Sequence, residues 1–156
     1  MEAKDASARV RAQAVNSLAA TKDASLADTY EQLLSDRSYA VIKAAAAALG
    51  QTKSPTSYDA LMKIVDTPSW RDQIRASALS GLAALGDKRA AELGFKYFAP
   101  ENPIGVRAAA VGLLGATGKD DPRTFPLMSG ALSESIERRS FNLFAGEAEA
   151  LVSLGD

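Results

Sequence analysis

Apolar positions in this chain fall into four near-identical runs: Val10 to Leu18, Val41 to Leu49, Ile74 to Leu82 and Val106 to Leu114. Their first residues lie 31, 33 and 32 positions apart. Within a run, apolar residues recur at i, i+4 and i+8 with a second set at i+2 and i+5, as in Val106, Ala110, Leu114 and Ala108, Val111. Two such stripes predict a helix buried over a wide arc. Many of the positions are Ala, most plainly Ala44 through Ala48, and small side chains let neighbouring helices approach at the close end of the usual ~8 to 10 Å. These are the inner helices. A recurrence of this length marks a stacked array, in which one helix pair cannot bury its own apolar face and leans on the next.

Between the inner helices lie segments with larger and more one-sided apolar residues, which predict outer helices: Leu26, Tyr30, Leu33 and Leu34; Tyr58, Leu61, Met62 and Val65; Leu93, Gly94, Tyr97 and Phe98; Phe125, Met128, Ala131 and Leu132. Ser25 with Asp28 and Thr56 with Asp59 have the form of capping boxes at the starts of two of them, and Asp121 before Pro122 places an acceptor at a third. Asn102-Pro103 and Ser69 with Asp72 predict similar caps on two inner helices, and Gly50, Gly86 and Gly115 fall where inner helices should end. The pattern predicts nine helices, over 7 to 20, 25 to 35, 38 to 50, 56 to 66, 70 to 85, 88 to 99, 103 to 116, 122 to 133 and 139 to 154, and no strand. The Leu-Gly-Asp of the last unit comes late, so the segment from Glu134 to Arg139 should hold an insertion. The array opens on an inner helix and stops just after another, which predicts that residues 1–156 form a single repeat domain cut from a longer chain.

Composition narrows the function without naming it. The 156 residues, 47% hydrophobic and 24% charged, suffice for one continuous core. Lys and Arg number 18 against 19 Asp and Glu, and a net charge of -1 offers no long-range attraction to nucleic acid or anionic lipid. The uncharged stretch Ala108 to Gly118 is far shorter than the roughly 20 residues that span a bilayer. Met1 to Asp5 lack a basic region followed by an apolar run, so no secretion signal is expected. Cysteine and histidine are both absent. That removes disulfides, thiolate sites, His-Glu-x-x-His zinc binding, Ser-His-Asp triads and imidazole acid-base chemistry. No lysine follows a serine by three residues, so a Ser-x-x-Lys nucleophile is missing too.

The succession of Asp or Ser, Val-Arg-x-Ala-Ala/Val and a later Leu-Gly resembles the HEAT-repeat family over nearly the whole chain, including its bilin-lyase-like variant. The resemblance implies an all-α solenoid of about four and a half helical hairpins and is almost silent on function. The variant alone would imply chromophore binding. A narrower run, Pro68-Ser69-Trp70-Arg71-Asp72-Gln73-Ile74-Arg75-Ala76 through Leu85-Gly86-Asp87-Lys88-Arg89-Ala90 to Asn102-Pro103-Ile104-Gly105-Val106-Arg107, resembles the C-terminal helical region of bacterial M1-family zinc aminopeptidases. It implies a non-catalytic segment that walls a zinc site lying outside this chain. The alternative is a free-standing module for protein-protein interaction. Neither gives this chain a metal or cofactor site, and the partner is a protein or a neighbouring domain.

Candidate chemistry is sparse. Five residues separate Gly112 from Gly118, and Asp120 follows Lys119, so the glycines do not match a phosphate loop and are expected to end a helix. Asp120-Asp121 has the residue types of a hard-cation site, but Asp121 is better used as a cap. Arg11, Arg75 and Arg107, with Lys43 offset by one residue, should form a ladder one unit apart. Such a ladder either fixes successive repeats in register through bonds to nearby acids and carbonyls or presents an acid-binding stripe. Trp70 starts an inner helix, where its ring either packs into the join between repeats or stays half exposed to a partner. Arg11, Lys43, Trp70, Arg75 and Arg107 are thus the candidate partner surface. Glu134, Glu137, Glu147 and Glu149, with Arg138-Arg139, are expected to solvate the last unit or face a neighbouring domain.

Overall fold

The computed structural model describes residues 2–137 and 141–155. All nine expected helices occur among them: α1 (Glu2–Ala19), α2 (Ala27–Leu33), α3 (Tyr39–Thr52), α4 (Ser57–Val65), α5 (Gln73–Leu85), α6 (Ala91–Phe98), α7 (Ile104–Thr117), α8 (Thr124–Glu137) and α9 (Phe141–Gly155). No strand occurs among the described residues. The inner helices stack in order, α1 on α3, α3 on α5, α5 on α7 and α7 on α9, which makes an all-α solenoid. The predicted insertion lengthens α8 to 14 residues, against 7 to 9 in the other outer helices. Arg138 and Arg139 lie outside the described residues.

Of the outer helices that flank it, each inner helix after the first packs chiefly on the one before it: α3 on α2, α5 on α4, α7 on α6 and α9 on α8. The packing unit is therefore outer-then-inner, and the odd helix is α1. This explains one failed expectation. Val41, Ile74 and Val106 are buried, whereas Val10, in the same register, is 68% exposed. The helices α3, α5 and α7 that carry the first three each pack on a preceding outer helix, and α1 has none before it in this sequence. Among its described side chains, Val15 and Ala19 are buried instead.

The centre of the stack is close packed because its meeting points carry almost no side chain. A Cβ placed on Gly50 would lie 2.2 Å from the Gly81 carbonyl oxygen, and one on Gly81 would lie 2.6 Å from the Ala46 carbonyl oxygen and 2.8 Å from Leu61 Cδ2. Gly115 meets the Ala150 backbone of α9 in the same way, at 3.0 Å. Gly50 and Gly115 thus serve helix approach rather than termination, and both helices run on to Thr52 and Thr117. Gly86 does end α5, with the left-handed φ of 72° that favours glycine. Around this seam Leu49, Leu79, Leu82 and Leu113 are fully buried, and Val111, Leu114, Met128 and Ala150 form a smaller cluster beneath α8 and α9.

One turn recurs before every outer helix. The N–H of Leu26, Ser57, Ala90 and Thr124 donates to the carbonyl of Asp23, Ser54, Asp87 and Asp121 respectively. In three of these turns the Asp side chain also accepts the N–H two residues on: Ser25 on Asp23, Arg89 on Asp87 and Arg123 on Asp121, at 2.9 to 3.0 Å. The cap at Asp121 is where the sequence placed it. At the first outer helix it lies at Asp23, two residues before the expected box at Ser25, because a tight turn precedes the helix proper, and at the second Thr56 holds the cap position without a side-chain hydrogen bond. On the inner helices, Ser69 Oγ accepts the Ile74 N–H at 3.0 Å, while Asn102 donates its side-chain amide to the Ala99 carbonyl and leaves α7 without a side-chain cap.

The repeat length reappears in bonds between units. Lys63 pairs with Glu31 at 3.0 Å, Tyr97 donates to Asp66 at 3.1 Å and Lys53 donates to the Leu85 carbonyl at 2.7 Å, all across 31 or 32 residues. Lys88 with Asp120 and Arg123 with Glu92 repeat the pattern. One acid departs from expectation: Glu147 is only 1% exposed, and its Oε2 has no hydrogen-bond partner among the described residues. It lies beside a hollow of about 260 Å³ that Phe98, Ile104, Ala131 and Leu143 also line.

Two outcomes follow for stability. Gly81→Ala should lower it by about 1–3 kcal/mol through overpacking, while Gly112→Ala, where nothing lies within 4 Å, should raise it by about 0.5–1 kcal/mol; urea melts of the two variants check both signs. In the acid limb, the Arg123 guanidinium and then its backbone N–H hold the Asp121 carboxyl down to about 2, and Arg89 lowers Asp87 in the same way. Both folded values lie below the ordinary carboxylate value near ~4, so their contribution is complete above ~pH 4 and is lost as pH falls toward ~2. The double variant Asp87→Asn/Asp121→Asn should show a shallower loss of thermal stability over that window.

Candidate partner-binding groove

A groove of about 550 Å³ runs across the exposed sides of α3, α5 and α7. Its floor is paved with Ala40, Ala76, Ala108, Ala109 and Gly105, residues that the dense Ala pattern of the inner helices supplies. The two serines that line it are spent within their own helix: Ser77 Oγ donates to the Gln73 carbonyl at 2.8 Å and Ser80 Oγ to the Ala76 carbonyl at 2.9 Å. The surface is therefore smooth and weakly polar. Tyr39 and Lys43 rise from the α3 side.

A second hollow of about 270 Å³ adjoins the first, sharing Gln73 and Gly105 and walled by Trp70, Arg71, Pro103 and Ile104. Trp70 is 64% exposed, so the expectation that it packs into the join between repeats is wrong. The reason is local. Arg71 and Asp72 both take left-handed backbone angles, φ 51° and 54°, at a cost of roughly 1–2 kcal/mol per non-glycine residue. That turn lifts the ring out of the helix. It is held by the Trp70 N–H donating to Tyr39 Oη at 3.2 Å, the Ser69 cap on Ile74, and the ion pair of Asp72 with Arg75 at 2.8 Å. The Arg71 guanidinium lies 5.2 Å from the indole centroid, within range of a cation-π contact.

Tyr39, Trp70 and Ile104 thus form an exposed apolar rim at the starts of three successive inner helices. Tyr39 and Ile104 were not singled out in the sequence. A signal for them exists there, since each stands two residues before its anchor, Val41 and Val106.

The expected cationic ladder divides in two. Arg75 Nε donates to the Val65 carbonyl at 3.1 Å and its guanidinium lies 5.1 Å from the Tyr97 ring. Arg107 Nε donates to the Phe98 carbonyl at 3.0 Å, with the guanidinium 5.3 Å from the Phe98 ring. Both tie an inner helix to the end of the outer helix before it. Arg11, with no such helix available, reaches Asp36 past the end of α2, with bonds of 3.1 and 2.9 Å. Its guanidinium holds the Asp36 carboxyl below the ordinary range. At the matching position α3 carries buried Ile42, and Lys43, one residue on, points into the groove instead. Of the candidate surface residues, the structure brings Lys43 and Trp70 together along one groove and places Arg11, Arg75 and Arg107 in inter-helix bonds.

Asp120 and Asp121 are engaged by Lys88 and Arg123. Among the described residues no three His, Cys, Asp or Glu side chains cluster as metal ligands, and no helix is long and apolar enough to cross a membrane. In comparison with known families, a model of HEAT repeats matches residues 2–83, 82 of the 156 positions. No curated protein matches the chain.

Removing the Arg75 side chain (Arg75→Ala) should destabilise the fold by about 1–3 kcal/mol, since a buried carbonyl loses its charged donor. Lys43→Ala should stay within about 0.5 kcal/mol of the parent. Denaturant midpoints compare the two.

Proposed function

The chain belongs to the HEAT-repeat family, and from that premise we propose that it is a non-catalytic scaffold whose groove across α3, α5 and α7 seats a segment of a protein partner. The observation that carries this reading is the groove itself: a floor of small residues whose hydroxyls are already bonded, edged by exposed Tyr39, Trp70 and Ile104. Small floors admit close approach of another backbone, and exposed aromatic anchors supply most of the binding energy in such interfaces. The strained turn at Arg71 and Asp72 fits this role, because strain of that kind is kept where a side chain must be displayed.

A second reading rests on the run from Pro68 to Arg107, which resembles the C-terminal helical region of M1-family zinc aminopeptidases. There the groove would face a catalytic domain of the same polypeptide. A His-Glu-x-x-His sequence upstream in the natural gene would support that reading, and its absence from the gene would remove it.

Random peptides selected on the immobilised chain, followed by backbone amide shift mapping of the best binder, test the main proposal. Shifts should centre on Ala76, Ser80 and Ala108, and Ala108→Trp, which fills the groove, should weaken the peptide at least tenfold. Binders that map to the outer helices and ignore Ala108→Trp would contradict it.

A further inference from the structure

The groove has a one-sided charge. Only Lys43 and Arg71 among the ionisable acids and bases line its two hollows, and no carboxylate lines either. Neither cation has an ion-pair partner among the described residues. Elsewhere Arg11, Lys63, Arg75, Lys88, Arg89 and Arg123 are paired with acids, and what sets the groove apart is a lining that holds two cations and no carboxylate, in a chain whose net charge is -1. The three inner helices also begin along this edge, at Tyr39, Gln73 and Ile104, and their N-terminal ends add positive potential there.

We propose that the occupant of the groove is a peptide segment with a large apolar side chain flanked by carboxylates. This rests on the scaffold reading above and specifies its partner. The hollow between Trp70 and Ile104, about 270 Å³, has room for a leucine- or phenylalanine-sized anchor. A carboxylate on one side of the anchor meets Arg71, and one on the other side, over the Ala and Gly floor, meets Lys43. Neighbouring helix axes in such a stack lie ~8 to 10 Å apart, so the two inter-axis steps from α3 to α7 cover ~16 to 20 Å. An extended chain rising ~3.3 Å per residue crosses that distance in about six residues. The opposite charge pattern, an apolar anchor among lysines, would place cations against Lys43 and Arg71 with nothing in the groove to offset them.

Trp70 is the chain's single tryptophan and its ring walls the anchor hollow, so intrinsic emission reports occupancy. The probes are three synthetic peptides of equal length: leucine and phenylalanine among aspartates and glutamates, the same apolar residues among lysines, and the acidic residues with alanine in place of the anchors. The first should shift Trp70 emission to shorter wavelength and bind at least tenfold tighter than the other two. Its affinity should fall as salt is raised from low ionic strength. Lys43→Glu/Arg71→Glu, whose melting curve shows whether the variant is folded, should reverse the preference toward the lysine peptide. Equal or tighter binding of the lysine peptide by the unaltered chain would overturn the charge assignment while leaving the scaffold reading standing. No emission change with any peptide, together with no selected peptide that maps to the groove, would overturn both.

Discussion

Helices α3 and α5 meet where neither has a side chain to offer. Gly50 faces the Gly81 carbonyl, and Gly81 faces the Ala46 carbonyl and a Leu61 methyl, each closer than a Cβ would allow. Backbone-to-backbone approach excludes water along a seam and leaves little freedom in how far one helix can slide along the next. Once that step is set, the same translation of about thirty-two residues carries every other feature along the chain: the Asp turns at Asp23, Asp87 and Asp121, the arginines that reach back to Val65 and Phe98, and the ion pairs between outer helices.

These secondary bonds act in a consistent direction. Exposed ion pairs such as Lys63 with Glu31 contribute little individually, ~0.2–1 kcal/mol, so they trim the register rather than create it. Arg75 and Arg107 matter more because each satisfies a carbonyl at the end of a short outer helix while covering an aromatic ring. Spending those two arginines on the joins leaves Lys43 and Arg71 as the cations lining the groove. The scaffold and its candidate binding face are therefore parts of one arrangement: the residues that hold the repeats together decide which charges remain displayed.

Much of the architecture was legible because a period of this size leaves few alternatives, and Val41, Ile74 and Val106 carry it openly. The phase of the pairing was not, since a periodic pattern reads the same whether each hairpin is counted inner-first or outer-first; the packing of α3 on α2 and the burial of Val41 against the exposure of Val10 separate the two. The cap at Ser25 was misplaced because a tight turn stands between the capping acceptor Asp23 and the helix, and Thr56 holds the expected position without a side-chain bond. Trp70 was misread for want of a signal, as Arg71 and Asp72 hold left-handed angles that glycine or asparagine would have advertised. Glu147 looked like a solvating acid and proved buried, beside a hollow lined from α6, α7 and α8 as well as from its own helix.

The close approach of α3 and α5 is open to direct measurement by nuclear Overhauser spectroscopy on labelled protein in solution. A Cβ at Gly50 would lie 3.0 Å from the Ala84 methyl carbon, so the Gly50 Hα protons should give a strong cross-peak to the Ala84 methyl, and the Gly81 Hα protons one to a Leu61 methyl. Absence of both cross-peaks in a folded, assigned spectrum would contradict the seam on which the stack is built.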